Sequence, residues 1–347
     1  MRAAIYRGPD WIEVGEYPDP QPGPGEILIE VHACGMCGSD LHAISAGWPQ
    51  PGSVMGHEPA GVVTAVGRGV DHVGPGDRVA VVASAACGEC RYCEEGARNL
   101  CTDRKAPTNG AYAEQIVVPA GSFVVRLPDN VTFEEGSILE PLSVAVRAVR
   151  MASPGPEARC AVVGLGAIGQ CVVQALRAGD VHEIIGIDIS KPRLDLARRS
   201  GANHVVDASS VDTAEALRDL AGSGSHRGYE YADVDFVFEC SGALPVMREI
   251  ATTYVRPSGT IVMVALFETD VSFDANPIVR KEVVLRGSYA YDDDDIRVAA
   301  DLLTQRRVDL SGLVTHVVPL ESISDALDFQ RDAELSVKVV VAPTPSS

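Results

Sequence analysis

Three closely spaced glycines between an apolar strand and an apolar helix constrain this fold more than any other feature. The predicted strand Arg159–Val163 leads into Gly164, Gly166 and Gly169, and the helix runs to about Ala178. Glycines at this spacing let the chain turn sharply from strand to helix and let the helix pack closely on the strand. The pattern therefore predicts a β-α-β unit in a parallel sheet.

An acidic residue ends the next predicted strand. Asp188 follows the strand Glu183–Ile187, nineteen residues after Gly169, while Ala167 and Ile168 lie within the glycine segment. Such a turn brings backbone amides to a pyrophosphate, and the acid hydrogen-bonds the adenosine ribose. A carboxylate at position 188 would repel a 2′-phosphate, so the segment favours NAD over NADP. A tight turn without a nucleotide is the alternative.

The predicted elements divide the chain into two kinds of structure. Strands alternating with helices after residue 156 predict a doubly wound parallel sheet, with further strands at His204–Val206, Val234–Glu239, Gly259–Ala265 and Val283–Gly287. Before residue 130, short runs separated by Gly and Pro turns predict a barrel-like β domain. These runs are Ile12–Val14, Ile27–Val31, Gly61–Val66, Val79–Val82 and Gln115–Val118.

The connecting segments have their own patterns. Apolar residues at three- and four-residue intervals predict a helix from Glu134 to Ala152. The polar stretch Gly222–Asp233 is expected to be a surface loop, and Asp292 is expected to begin a helix that runs to about Arg306. Short strand-like runs are expected between Val314 and Val341.

Charge and composition exclude several classes of protein. The chain of 347 residues has a net charge of −19, which argues against nucleic acid as a partner because phosphate binding requires a basic surface. Neither a run of 18 apolar residues nor an amino-terminal apolar segment is present, so we expect no membrane helix and no secretion signal. Nine cysteines in such a chain indicate metal binding or catalysis rather than disulfides. A cytoplasmic protein with a small-molecule partner is expected.

Four cysteines form the most specific metal motif. Two, two and seven residues separate Cys87, Cys90, Cys93 and Cys101. Four thiolates can enclose one tetrahedral Zn²⁺ and leave no position open for a substrate, which is typical of a structural site. An iron–sulfur cluster is the main alternative, and four unrelated thiols are another.

A second constellation combines a thiol, an imidazole and a carboxylate. Cys37 is followed, twenty residues later, by the adjacent pair His57 and Glu58. These three side chains can hold a catalytic zinc and leave one position open for an oxygen ligand. An ordinary histidine unrelated to metal is the alternative for His57. Cys34, three residues before Cys37, is more typical of a packing residue than of a redox pair, because no thioredoxin-like β-α-β unit surrounds it.

Taken in order, these motifs resemble the zinc-dependent medium-chain dehydrogenase/reductase family, which includes alcohol, sorbitol, butanediol and threonine dehydrogenases. The resemblance covers essentially the whole chain and implies an α/β fold, in which a GroES-like β-barrel catalytic domain accompanies a doubly wound Rossmann domain. It implies that residues 1–146 and 291–347 form the catalytic domain and residues 147–290 the NAD-binding domain.

The resemblance also assigns roles at the catalytic zinc. Cys37 and His57 match ligands, and Glu58 matches a position that either ligates the metal or moves in and out of its coordination shell. Asp40 matches a carboxylate that orients the liganding imidazole. Ser39 matches the start of a proton relay, which continues in the family to the position of His42.

Two further positions follow from the same resemblance. Glu140 matches a glutamate of the sorbitol and butanediol branch that approaches the metal or its water, whereas alcohol dehydrogenases place a cysteine ligand there. This difference favours polyol or diol substrates; a surface carboxylate at a helix start is the alternative. Arg193 matches a basic residue near the adenosine ribose, with an exposed helix residue as the alternative.

The implied activity is oxidation of a secondary alcohol (a polyol, diol or amino alcohol) to a ketone, or the reverse, with NAD as the hydride acceptor. One catalytic and one structural zinc, and a homotetramer or homodimer, are typical of the family. A zinc lyase or hydrolase is a rival interpretation, against which the Gly164–Gly169 segment argues. A nucleotide-sensing relative without catalysis is another, and the retained ligands argue against it.

Overall fold

The computed structural model describes residues 1–107, 109–267 and 269–344. Contacts between Cα atoms divide the chain into two compact units, one of Met1–Pro141 with Tyr291–Ser347 and one of Leu142–Ala290. The predicted catalytic segment 291–347 ends in residues 345–347, which lie outside the described residues. Within the described ranges, every helix is too short or too polar to cross a membrane.

Short strands dominate the amino-terminal part, as the β-rich pattern predicts. Most of them extend the predicted runs by a few residues, whereas β1, β7 and the first two helices below have no counterpart among the predicted elements. The elements are β1 (Arg2–Gly8), β2 (Trp11–Glu16), β3 (Ile27–Gly35), α1 (Gly38–Ala46), β4 (Glu58–Val66), β5 (Arg78–Val82), α2 (Arg91–Glu94), β6 (Gln115–Val118), β7 (Phe123–Arg126), α3 (Phe133–Gly136) and α4 (Leu139–Ala152).

The prediction of a single helix over residues 134–152 is wrong, because two helices, α3 and α4, cover this segment. Thr132 caps α3 by accepting a hydrogen bond from the Glu135 amide, and the Glu135 carboxylate accepts one from the Thr132 amide. Pro141 lies in the first turn of α4. Proline is tolerated there but would interrupt a helix that continued from α3.

The middle of the chain alternates strands and helices, as predicted. Its elements are β8 (Arg159–Val163), α5 (Ala167–Ala178), β9 (Glu183–Asp188), α6 (Lys191–Ser200), β10 (His204–Asp207), α7 (Thr213–Ala221), β11 (Ser223–His226), β12 (Tyr229–Ala232), β13 (Phe236–Glu239), α8 (Leu244–Glu249), β14 (Thr260–Met263), α9 (Asn276–Lys281) and β15 (Val284–Gly287). A π-helical turn, Ile250–Tyr254, follows α8.

The prediction of a surface loop at Gly222–Asp233 is wrong, because this segment forms the antiparallel hairpin β11–β12. Arg227 and Gly228, at its tip, both have positive φ angles, of 51° and 86°. Two such residues favour the tight turn whose twist matches a hairpin. The turn residues therefore outweigh the polar composition of the strands.

The end of the chain is partly helical rather than entirely strand-like. Its elements are α10 (Asp293–Thr304), β16 (Val314–Pro319), α11 (Ile323–Arg331) and β17 (Lys338–Ala342). Asp292 caps α10, as predicted. The prediction missed α11, in which Ile323, Ala326 and Leu327 are buried at helical spacing.

Each unit is built on one main sheet. In the first unit a seven-stranded sheet has the order β16-β17-β3-β4-β5-β7, and β6 also pairs with β3. Its pairing register places Gly35 of β3 opposite Glu58 of β4 and beside Val340 of β17. In the second unit a parallel sheet has the order β10-β9-β8-β13-β14-β15. The strand order reverses between β8 and β13, the point at which open α/β sheets bind ligands.

Candidate active site

Three predicted ligands meet in the first unit. The Cys37 sulfur, a ring nitrogen of His57 and a carboxylate oxygen of Glu58 all lie within 4.8 Å of one another. Cys37 immediately precedes α1, and β4 begins at Glu58. A thiolate, an imidazole and a carboxylate form a donor set suited to zinc, and three protein ligands leave one position for a substrate oxygen. The residues present therefore fit a catalytic zinc ion.

Asp40 orients two members of this set. Its Oδ1 lies 3.3 Å from His57 Nδ1, and its Oδ2 accepts the Cys37 amide hydrogen at 3.1 Å. Burial raises the pKa of Asp40, but the neighbouring His57 and the hydrogen bonds outweigh it, so the pKa is lowered. For His57 the effects are reversed: burial acts to lower its pKa, but Asp40 outweighs burial, so the pKa is raised well above its usual value. With Nδ1 turned to Asp40, Nε2 is the nitrogen free to bind a metal.

Glu58 is paired with a lysine that sequence reasoning missed. Lys338, the first residue of β17, places its ammonium 2.7 Å from Oε1 and 2.5 Å from Oε2 of Glu58, and it also donates to the Met36 carbonyl at 2.9 Å. Both side chains are buried. Burial lowers the pKa of Lys338, but the charge of Glu58 outweighs it and raises the pKa above its usual value. Lys338 therefore competes with a metal for this carboxylate.

A glycine makes room for the pair. A Cβ atom on Gly35 would lie only 1.9 Å from Glu58 Oε2 and 2.9 Å from the Lys338 Cε. Any larger residue at position 35 would displace one of the two charged groups. The lone lysine that begins the apolar strand Lys338–Ala342 is the only signal in the sequence, and it does not identify a partner.

Glu140 lies outside the set of three ligands. It is half-buried in the first turn of α4, and its carboxylate accepts a hydrogen bond from Tyr291, a second residue that sequence reasoning missed. Burial raises the pKa of Glu140, although His57 and Tyr291 act in the opposite direction. The role of Glu140 at the metal stays a prediction.

The two relay residues share one helix. Ser39 is exposed and His42 is half-buried, and both belong to α1 together with Asp40. Residues three apart lie on the same face of a helix. The structure therefore places Ser39 and His42 on one face of α1, while their catalytic role stays a prediction.

The four predicted structural ligands also converge. Sulfur–sulfur distances are 3.9 Å for Cys87–Cys93 and 3.5 Å for both Cys90–Cys93 and Cys101–Cys87. A tetrahedron with zinc–sulfur bonds of about 2.3 Å has edges of about 3.8 Å, so the set fits one metal ion. Backbone amides that donate to the sulfurs lower the pKa of Cys90 to about 6 and also lower that of Cys101. Burial and the hydrogen bonds to the neighbouring sulfurs instead raise the pKa of Cys93 to about 12, so the backbone amides favour the thiolate at two of the four sulfurs.

The cofactor segment has the geometry that its glycines predict. Gly164 has a φ of +86°, and a Cβ there would lie 2.6 Å from the Ser241 backbone. A Cβ on Gly169 would lie 1.9 Å from the Gly164 oxygen. Gly166 caps α5, and the nearest atom to a Cβ there is Arg193 Nη1, at 3.7 Å. The guanidinium of Arg193 therefore lies near the N-terminus of α5, and helix N-termini favour anionic groups such as a pyrophosphate.

Asp188 and Arg193 both lie at this segment. Asp188 ends β9, and its Oδ2 accepts the Leu165 amide hydrogen at 2.6 Å, while its Oδ1 accepts those of Ile189 and Ser190. The Arg193 carbonyl accepts a hydrogen bond from Gln170 of α5. The second unit therefore gathers all the predicted cofactor residues around one turn.

The remaining cysteines do not form a further site among the described residues. Cys34, Cys160 and Cys171 are fully buried, and Cys240 is half-buried. Burial raises the pKa of Cys34, which makes it a poor thiolate and argues against a redox pair with Cys37.

Comparison with known proteins agrees with both units. The model of the alcohol dehydrogenase GroES-like domain matches residues 23–129, and that of the zinc-binding dehydrogenase matches residues 167–305. The chain is 32% identical to the probable D-xylulose reductase A of Neosartorya fischeri, over 97% of this chain and 95% of that one. It is 31% identical to the sorbitol dehydrogenase of Bacillus subtilis, over 99% and 97% of the two chains.

A solved structure has the same fold throughout. The 2R,3R-butanediol dehydrogenase of Bacillus subtilis matches with a TM-score of 0.86 and 29% identity, over 99% of each chain. The predicted GroES-like and Rossmann architecture is thus confirmed, and one of the matching family models is that of a zinc-binding dehydrogenase. The chain belongs to the zinc-dependent medium-chain dehydrogenase/reductase family.

Proposed function

We propose that this protein is a zinc- and NAD-dependent dehydrogenase that oxidises a secondary alcohol of a polyol or diol to a ketone, or catalyses the reverse reaction. The observation that carries the proposal is the meeting of Cys37, His57 and Glu58 within 4.8 Å, in a chain whose second unit has an open dinucleotide turn. The polyol and diol activities in the names of its relatives support the substrate class.

Individual residues of the chain have separate roles in the proposed reaction. A zinc ion held by Cys37, His57 and Glu58 would supply Lewis-acid polarisation of the substrate oxygen. Ser39 accepts the hydroxyl proton of the substrate while its own hydroxyl proton moves on towards His42, on the same face of α1, and His42 releases a proton to water. Glu140 supplies a half-buried carboxylate that approaches the metal or its water, in place of the cysteine found in alcohol dehydrogenases.

The cofactor residues orient the hydride acceptor. The Gly164–Gly169 turn binds the pyrophosphate at the start of α5, and the Asp188 carboxylate accepts hydrogen bonds from the ribose hydroxyls. Arg193, whose guanidinium reaches the Gly166 turn, lies at the adenosine end. The negative charge of Asp188 favours NAD over NADP. The four-cysteine site holds the second, structural zinc.

Absorbance of NADH tests this function. The purified, zinc-loaded protein is mixed with NAD or NADP and a panel of polyols, diols and amino alcohols. We expect NAD reduction with a polyol or diol, at least tenfold better than NADP reduction, and no turnover in His57→Ala. Titration of that variant with NADH checks that its cofactor site is intact. The absence of hydride transfer with every alcohol would contradict the proposal.

The domain boundaries and the assembly are further parts of the proposal. Residues 1–146 with 291–347 form the catalytic domain, and residues 147–290 form the cofactor domain. The protein is cytoplasmic and forms a homotetramer or homodimer. All four residues of the edge strand β15 are exposed, including Val284 and Leu285, which supports self-association through this edge. Light scattering of wild type and Leu285→Pro tests the assembly: we expect an oligomer that the proline dissociates, and a monomeric wild type would contradict it.

A further inference from the structure

Tyr112 holds the segment that carries His57. Its amide donates to the Met55 carbonyl at 2.9 Å, and the neighbouring Ala111 amide donates to the Gly56 carbonyl at 2.9 Å. The ring packs so closely that a Cβ on Gly56 would lie 2.9 Å from its Cδ1 atom. The loop before β6 therefore fixes the backbone directly before His57.

The hydroxyl of the same residue reaches the other side of the site. Tyr112 is fully buried, and its O–H donates to Asp40 Oδ2 at 2.6 Å. That oxygen also accepts the Cys37 amide, while Oδ1 faces His57 Nδ1 at 3.3 Å. A carboxylate as buried as Asp40, which is 3% exposed, requires donors to each oxygen. Tyr112 is the side chain that binds the oxygen turned away from the imidazole.

We propose that Tyr112 is a positioning residue of the candidate zinc site, acting through Asp40 on His57. Its phenol holds Oδ2 of Asp40, which keeps Oδ1 aligned with Nδ1 of His57 and leaves Nε2 directed at the ion. The chain of contacts from Tyr112 through Asp40 to His57 then stabilises the bound metal ion. Partners one step beyond a ligand typically change metal affinity by 10–100-fold when they are removed.

The inference rests on the proposed function, since it needs a catalytic zinc. Tyr112→Phe removes one oxygen and keeps the ring against Gly56. Tyr6→Phe is the matched control, because Tyr6 is also buried and its hydroxyl has no hydrogen-bond partner in the part of the chain that the structure describes.

The experiment measures zinc release from the purified holoprotein to a chromogenic chelator. Cys37→Ser, which keeps only the four-cysteine zinc, identifies the phase that belongs to each site. In Tyr112→Phe we expect release from the catalytic site to be about tenfold faster, with the four-cysteine phase unchanged and both phases of Tyr6→Phe equal to wild type. In an Asp40→Ala background, Tyr112→Phe should change the rate less than twofold, because alanine offers no acceptor to the Tyr112 hydroxyl.

Two results would overturn the inference alone. Either Tyr112→Phe releases both ions at the wild-type rate, or it accelerates release equally with and without Asp40. A wild-type protein that binds zinc only at the four cysteines would instead contradict the proposed function, and the inference with it.

Discussion

The Lys338 ammonium contacts both carboxylate oxygens of Glu58, although the two residues lie 280 positions apart in the chain. The contact depends on two neighbouring strand pairs, β17 with β3 and β3 with β4. It supplies a positive charge to a buried acid that is itself a candidate zinc ligand. Glu58 is thus available to a metal only in competition with a fixed ammonium group.

Replacing the lysine should destabilise the first unit. Lys338→Met leaves the Glu58 charge buried without its partner, which typically costs about 3–5 kcal/mol. We expect urea unfolding of protein from which the catalytic zinc has been removed to show a loss of this size, because no metal ion then neutralises Glu58. The double variant with Glu58→Gln should recover most of it, since the unpaired charge is then gone. A single variant as stable as wild type would contradict the importance of the pair.

Removing one thiolate of the four-cysteine site should remove one zinc. In Cys101→Ser we expect atomic absorption to give one zinc per chain instead of two, with a lower melting temperature, because structural zinc binding contributes folding free energy. Cys240→Ser is the control and should keep both ions, since Cys240 lies outside both ligand sets. Two zinc ions in Cys101→Ser would argue against the four-sulfur site.

A methyl group on Gly166 should affect cofactor binding without affecting the fold. The φ of Gly166 is −66°, which any residue adopts, and a Cβ there has no non-neighbouring atom within 3.7 Å. In Gly166→Ala we therefore expect an unchanged melting temperature without cofactor, and a Kd for NADH about tenfold higher in a fluorescence titration, since the methyl occupies the pyrophosphate space.

Two other glycines bracket that prediction. Gly155→Ala, in open space, should leave both quantities unchanged. Gly169→Ala should lower the melting temperature, because the backbone must shift to separate its Cβ from the Gly164 carbonyl oxygen. Normal NADH affinity in Gly166→Ala would mean that the cofactor does not approach this turn.

A buried lysine in the second unit should make stability depend on pH. Lys281 donates to the carbonyls of Thr252 and Val255 at 2.9 and 2.6 Å, and burial lowers its pKa from 10.5 to about 8. Between pH 8 and 10.5 the unfolded chain keeps a proton that the folded chain has lost, so the contribution to stability rises with pH.

Comparison with Lys281→Met isolates this contribution. We expect wild type to gain up to about 1.4 kcal/mol per pH unit over the variant between pH 8 and pH 10, in urea unfolding. Below pH 8 the difference should be constant, because both states are protonated. Parallel curves across the whole range would show that Lys281 does not titrate as its burial requires.

Local patterns made much of this molecule predictable. The glycine turn, Asp188, the four cysteines and the Cys37–His57–Glu58 set are short motifs, and the structure gathers each of them at one place. Local patterns do not predict side-chain partners that come from distant parts of the chain. Such partners include those of Lys338, Tyr112 and Tyr291, which form only when distant segments pair. The prediction missed the hairpin β11–β12 because its turn residues outweigh the polar composition of the segment. It missed the helix α11 because the burial of one helix face outweighs the strand-like pattern of the sequence.

The position of β17 in the chain has a consequence for biosynthesis. Cys37, His57 and Glu58 leave the ribosome early, whereas Lys338 is synthesised 280 residues after Glu58. Until then the nascent first unit has neither the central sheet pairing of β17 with β3 nor the cation that neutralises Glu58. The surroundings of the candidate zinc ligands thus stay incomplete while these 280 residues are synthesised, and during that interval Lys338 does not yet neutralise Glu58.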